Sequence, residues 1–166
     1  MQVCFIGHRT IQKNEKLKFS LKEIIVELIN KGATTFLFGS MSEFDKLSWE
    51  IVSALKTNYS FIKRVYVRSA YQYIDKGYEK YLRKFYEETY FPPKLHNAGK
   101  YSYVERNYEM IDCSTHCVFY YDENYVPYLR RQTNRNALLE SKRKSGTKIA
   151  YEYAIKKNKK IINLHK

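Results

Sequence analysis

ATTFLFGSMSEFDKLSWEIVSALK, residues 33–56, contains the unit from which the fold is read. Residues 33–38 form a short apolar run that predicts a buried strand, and Gly39 ends it. From Ser42 the spacing becomes helical, with Phe44, Leu47, Ile51 and Leu55 along one face and Ser42 placed as the N-cap. The same change of period recurs along the chain. Upstream, residues 2–6 (QVCFI) predict a first strand that runs into Gly7-His8-Arg9-Thr10. Residues 14–31 then place Leu17, Leu21, Ile24, Ile25, Leu28 and Ile29 at helical spacing, with Gly32 as the stop.

Downstream, FIKRVYV (61–67) predicts a third strand, and DKGYEKYLRKFYEETY (75–90) predicts one charged, aromatic helix closed by Pro92-Pro93. A loop with Asn97 and Gly99 leads to a helix over 101–112, a strand at 116–121, a helix over 145–158 and a last strand at 159–164. Between them, 122–143 predicts a polar, basic excursion carrying Arg130, Arg131 and Arg135. Strands alternating with helices specify an α/β fold: a mainly parallel sheet covered on both faces, as a three-layer α/β/α domain. A chain of 166 residues suits one such domain, spanning 1–166.

Composition narrows the partners. The net charge of +13 favours anions: nucleotides, nucleic acid or an acidic protein. Seventeen tyrosines can stack on bases or fill the rim of a core. The three cysteines, Cys4, Cys113 and Cys117, form no disulfide framework, which suits a reducing, cytoplasmic setting. Cys113, His116 and Cys117 are too few for a closed zinc site and run into an apolar strand, so no metal is expected. No stretch is apolar for long enough to span a membrane, and no secretory pattern opens the chain.

Parallel sheets bind ligands at the carboxyl ends of their strands. Three glycine turns are expected there: Gly7-His8-Arg9-Thr10, Gly39-Ser40-Met41-Ser42 and Ser145-Gly146-Thr147. Glycine permits close backbone approach, and the first turn of the following helix offers N–H groups to an anion. Arg9 could add a bidentate phosphate contact, and His8 a base, a donor or a plain hydrogen-bonded strand end.

The segments FIGHRT, FLFGSMSEFDKLSWEIVSALK, ERNYEMIDCSTHCVFYYD and SGTKIAYEYAIKKNKKIINL resemble the YpsA-like branch of the SLOG superfamily. That superfamily groups the DNA-processing protein DprA with the LOG phosphoribohydrolases. The resemblance implies a Rossmann-like sheet whose loops bind a nucleotide or nucleotide-derived ligand, without a further cofactor. Matched position by position, it implies contacts from Gly7, His8 and Arg9, from Gly39 and Asp45, from Arg106, Asn107 and Asp112, and from Gly146 and Thr147. Thr10, Ser40, Met41, Glu43 and Ser145 flank these positions and join the candidate set.

Two departures limit what the resemblance implies. Glu43 stands where the middle turn of the family carries a second glycine. Ala150 stands where LOG enzymes carry their glutamate, and Glu152 comes two positions late, a helical rotation of roughly 200°. Cleavage of an N-glycosidic bond would need another carboxylate, for which Asp45, Glu50, Glu43 and Asp112 are candidates by position, Asp45 and Glu50 first. The expected function is therefore a binding module that senses or sequesters a nucleotide-derived molecule, with a homo-oligomer as a possible assembly. An N-glycosidase acting on a nucleotide and a DprA-like protein that associates with single-stranded DNA are the alternatives.

Overall fold

The computed structural model describes residues 1–39, 42–96, 99–126 and 144–165. The expected excursion beyond residue 126, with its three arginines, lies outside them, as do Ser40, Met41 and Asn97.

Period-two alternation builds the sheet. In β1 (Gln2–Gly7), Val3 and Phe5 face one layer, while Cys4 and Ile6 face the other, and all four are buried. β2 (Thr35–Phe38), β3 (Lys63–Val67), β4 (Glu88–Tyr90), β5 (His116–Tyr120) and β6 (Lys160–Asn163) complete a six-stranded sheet in the order β4-β3-β2-β1-β5-β6. Every pairing among them is parallel. Cys4 lies in register with Cys117, both buried, while Cys113 is exposed at a helix end.

The direction in which strands are added decides which face each helix covers. Right-handed crossovers put α1 (Glu15–Asn30) and α2 (Glu43–Leu55) on one face as the chain moves from β1 outward to β3. Past β4 the chain returns across the sheet to β5. α4 (Lys100–Cys113) and α5 (Gly146–Lys156) therefore cover the opposite face, where Met110, Ile111, Ala150 and Ala154 pack on Cys4, Leu37 and Phe119. The three-layer α/β/α arrangement is as expected. Gly32 follows α1 at φ 94°, a left-handed stop that glycine adopts without strain. Ser42 caps α2 by accepting the Asp45 N–H at 3.0 Å.

The segment 75–90 corrects the expectation of one long helix. α3 is short (Lys76–Leu82), and after a turn the chain becomes the edge strand β4. Local propensity is overruled by β3, whose open edge takes up Glu88, Thr89 and Tyr90. Arg64 draws the chain there. Its Nη2 and Nε donate to Glu87 at 2.7 and 3.2 Å, and its backbone N–H donates to the same carboxylate at 2.6 Å.

Burial alone would push the Glu87 carboxyl upward. The hydrogen bonds and charge of Arg64, helped by Lys56, outweigh this and hold it at about 2. A depressed carboxyl contributes stability above its unfolded pKa near 4.5 and loses it as pH falls toward 2. Glu87→Gln should therefore destabilise the protein at neutral pH by about 1–2 kcal/mol, allowing for partial solvent screening. Urea titrations of the two proteins should show that gap closing as the pH drops below about 4.5.

Candidate functional site

The expected turns lie at the carboxyl edge of the sheet, and those at Gly7 and Gly39 are packed against by the chain itself. At the first, the strand order reverses between β1 and its neighbours β2 and β5, where open sheets carry a crevice. Here His8 fills it. The ring is 1% exposed, lies 3.8 Å from the Tyr125 ring in a parallel stack, and accepts the Asp122 N–H at Nε2 over 2.9 Å. Thr10 Oγ1 lies 2.8 Å from the Tyr125 hydroxyl, holding the segment after β5 against the turn. Nδ1 is buried without a partner. Burial lowers the His8 pKa, with a smaller push in the same direction from His165 and an opposing effect of Asp122.

Gly7 is required by packing, because a Cβ there would come 2.5 Å from Cβ of Phe44. Arg9 is exposed, and its carbonyl accepts the Glu43 N–H at 2.9 Å. Glu43 returns the tie, its carboxylate accepting the Ile11 N–H at 3.0 Å. The carboxylate in place of the second glycine thus fastens the β1 turn to the start of α2.

Gly39 is held from both sides. Its N–H donates to Asp45 Oδ1 at 3.0 Å, and its carbonyl accepts from Arg106 Nη1 at 2.7 Å. A Cβ at Gly39 would run into the Arg106 guanidinium carbon. Both side chains are buried. Burial lowers the Arg106 pKa, and the charge of Asp45 works against that loss. Asn107 accepts from Arg106 Nε at 3.2 Å, and Arg106 brings this pair beside Gly39.

The remaining candidates are spread out. Ser145 caps α5 by accepting the Lys148 N–H, Gly146 faces open space and Thr147 is buried. Glu50 is exposed on α2, roughly 7.5 Å along the helix from Asp45. Asp112 lies at the amino edge of the sheet, where its carboxylate accepts from Tyr153 and its carbonyl from Lys159, just before β6. It does not join the other candidates.

The open space lies one crossover further out. A cavity of about 390 Å³ sits between α2, β3 and α3, lined by Trp49, Tyr66, Tyr78, Tyr81, Phe85 and Tyr86, with Asp45, Lys46 and Leu82. Tyr86 stacks on Tyr66 at 5.3 Å, and Tyr81 meets Phe85 edge-on at the same distance. Trp49 donates through Nε1 to the Phe85 carbonyl at 3.2 Å, and the Arg64 guanidinium lies 5.5 Å from its ring centre. Glu87 and Ser53 hold Arg64 in turn, so the pair that recruits β4 also orients the wall. In the sequence, Trp49 lies on the predicted second helix and the tyrosines in a charged, aromatic run, with nothing local to join them. The usable signal was the spacing of Tyr78, Tyr81 and Phe85, which share one side of a helical turn.

The fold is similar to that of DNA processing protein A from Helicobacter pylori, a protein that binds single-stranded DNA. The TM-score is 0.58 at 17% identity, over 97% of this chain and 63% of that one. The chain therefore spans less than two thirds of that protein, and the likeness concerns the fold alone. No protein-family model and no curated protein sequence matches the chain. Among the described residues, no helix is long and apolar enough to cross a membrane.

Asp45→Asn leaves Arg106 buried beside a neutral group and should lower stability by roughly 3 kcal/mol in chemical denaturation. A His8 pKa held below its unfolded value of 6.5 contributes stability above pH 6.5 that is lost as the pH falls from 6.5 toward the lower folded value. Between pH 7 and 5 the melting temperature should fall more steeply for the native protein than for His8→Asn. His116, lowered in the same direction, is common to both.

Proposed function

We propose that this protein binds a nucleotide-derived small molecule, with the base seated in the aromatic cavity at the carboxyl edge of β2 and β3. The observation that carries the proposal is the cavity lining: six aromatic side chains around about 390 Å³, a volume in the range of small-molecule sites. Each ring offers a face on which any base can stack, at about 1–3 kcal/mol per base. The tyrosine hydroxyls and Lys46 supply polar contacts at the rim. The resemblance to SLOG proteins and the net charge of +13 support an anionic, nucleotide-like ligand.

Binding is favoured over turnover. Asp45 already serves Gly39 and faces a buried arginine, and Glu50 stands out on a helix surface. Neither arrangement resembles an acid held against an anomeric carbon. A second proposal, single-stranded DNA as the ligand, draws on the fold shared with the Helicobacter protein and on exposed tyrosines near the cavity, Tyr71 and Tyr73.

Thermal-shift titration with the common nucleosides and their 5′-monophosphates should raise the melting temperature, with no free base detected by chromatography. Tyr78→Ala and Tyr81→Ala, at exposed positions, should each weaken binding by about tenfold or more. Stabilisation that is absent for mononucleotides but present and steeply salt-dependent for a short oligothymidylate would favour the second proposal. A protein stabilised by none of these probes would refute the pocket.

A further inference from the structure

We infer that Arg68 is the phosphate anchor of this pocket, so that the ligand is a nucleotide bearing a phosphate rather than a free nucleoside or base. The inference rests on the proposed base seat and assigns the group beside it. Arg68 follows β3, and its N–H donates to the Tyr90 carbonyl at 2.9 Å, extending the β3–β4 ladder by one residue. Strand alternation therefore puts its side chain on the face of Tyr66, about 7 Å further toward the carboxyl edge. The guanidinium lies 6.0 Å from the Phe91 ring centre, the position that the ladder puts beside it on the same face.

Arg68 is 8% exposed, yet among the described residues no carboxylate pairs with it. Its Nη1 donates to the main-chain carbonyls of Tyr71 and Gln72, at 2.5 and 3.4 Å. Its Nε is buried with no hydrogen-bond partner. A buried guanidinium that lacks both a counter-ion and one of its bonds is costly, and natural proteins rarely keep one without a use.

The same strand shows what fills such an edge. Four residues earlier, Arg64 presents Nε and Nη2 side by side, and the Glu87 carboxylate takes both. On Arg68 the equivalent edge has no such acceptor, its Nε being buried and unpaired, and a phosphate matches that edge as a two-oxygen acceptor. Access runs past the turn at 69–73. There Tyr71 adopts φ 58° and is tied by its carbonyl to Arg68 itself, while Tyr71 and Tyr73 are 75% and 87% exposed. The guanidinium thus links the turn that covers the site to the anion that would enter it. Arg9, the contact expected from the sequence, is exposed at the β1 turn instead.

The test compares four nucleosides with their 5′-monophosphates by isothermal titration calorimetry, on the native protein, Arg68→Gln and Arg68→Lys. Hydrogen bonds to a charged group predict that the best monophosphate binds roughly 10–100-fold tighter than its nucleoside to the native protein. Arg68→Gln should abolish that ratio while leaving nucleoside affinity within about twofold, a change of under half a kcal/mol. Arg68→Lys retains the charge but not the paired edge, so it should lose most of the ratio. It decides the question if Arg68→Gln does not fold by circular dichroism. Equal affinities for nucleoside and monophosphate in the native protein, or a ratio that survives both substitutions, would overturn the anchor and leave the base seat standing. Absence of binding by all eight compounds would overturn both.

Discussion

One glycine joins the two helical layers of this protein. The Gly39 N–H is claimed by Asp45 from α2, and its carbonyl by Arg106 from α4. These helices lie on opposite faces of the sheet, so a single peptide pair at the end of β2 is gripped from above and below. Any larger residue would have to displace the guanidinium, which occupies the place of a side chain. Both charges are buried, where an uncompensated ion would be strongly destabilising, and each is tolerated through the charge of the other. The clamp thus ties the start of α2 and the middle of α4 to the same point at the end of β2.

The clamp also explains why turns that look suited to anions are occupied by the chain itself. A glycine turn before a helix advertises free N–H groups in sequence, but sequence does not show which of them are already used. Glu43 and Asp45 both sit in the first turn of α2 and accept N–H groups from neighbouring loops. Carboxylates at a helix start are stabilised there, so two internal acceptors stand where an external phosphate would have been expected. The cavity lies one strand further out, and its walls are aromatic.

The alternation of strands and helices was legible because it is a local periodicity, and so were the stop at Gly32 and the cap at Ser42. What escaped was set by contacts between distant residues. β4 reads as helix because its residues follow a helical run, and only the open edge of β3 and the grip of Arg64 make it a strand. His8 was visibly unusual, but its partners Asp122 and Tyr125 lie more than a hundred residues away. The aromatic residues of the cavity were visible one by one, yet their convergence depends on where α3 ends. Arg68 was missed for a different reason. An arginine after an apolar strand is ordinary in sequence, and only the fold reveals that no acid waits for it.

The three-residue edge strand has a consequence for how such a protein can change over time. Because β4 is short and terminal, the roof of the cavity hangs from the margin of the sheet rather than from its centre. Substitutions or small insertions across residues 69–86 can alter the shape and chemistry of the roof without shifting the register of the four inner strands. The buried framework and the roof of the cavity are therefore under separate constraints. A lineage built on this plan can reshape the cavity while its core stays fixed.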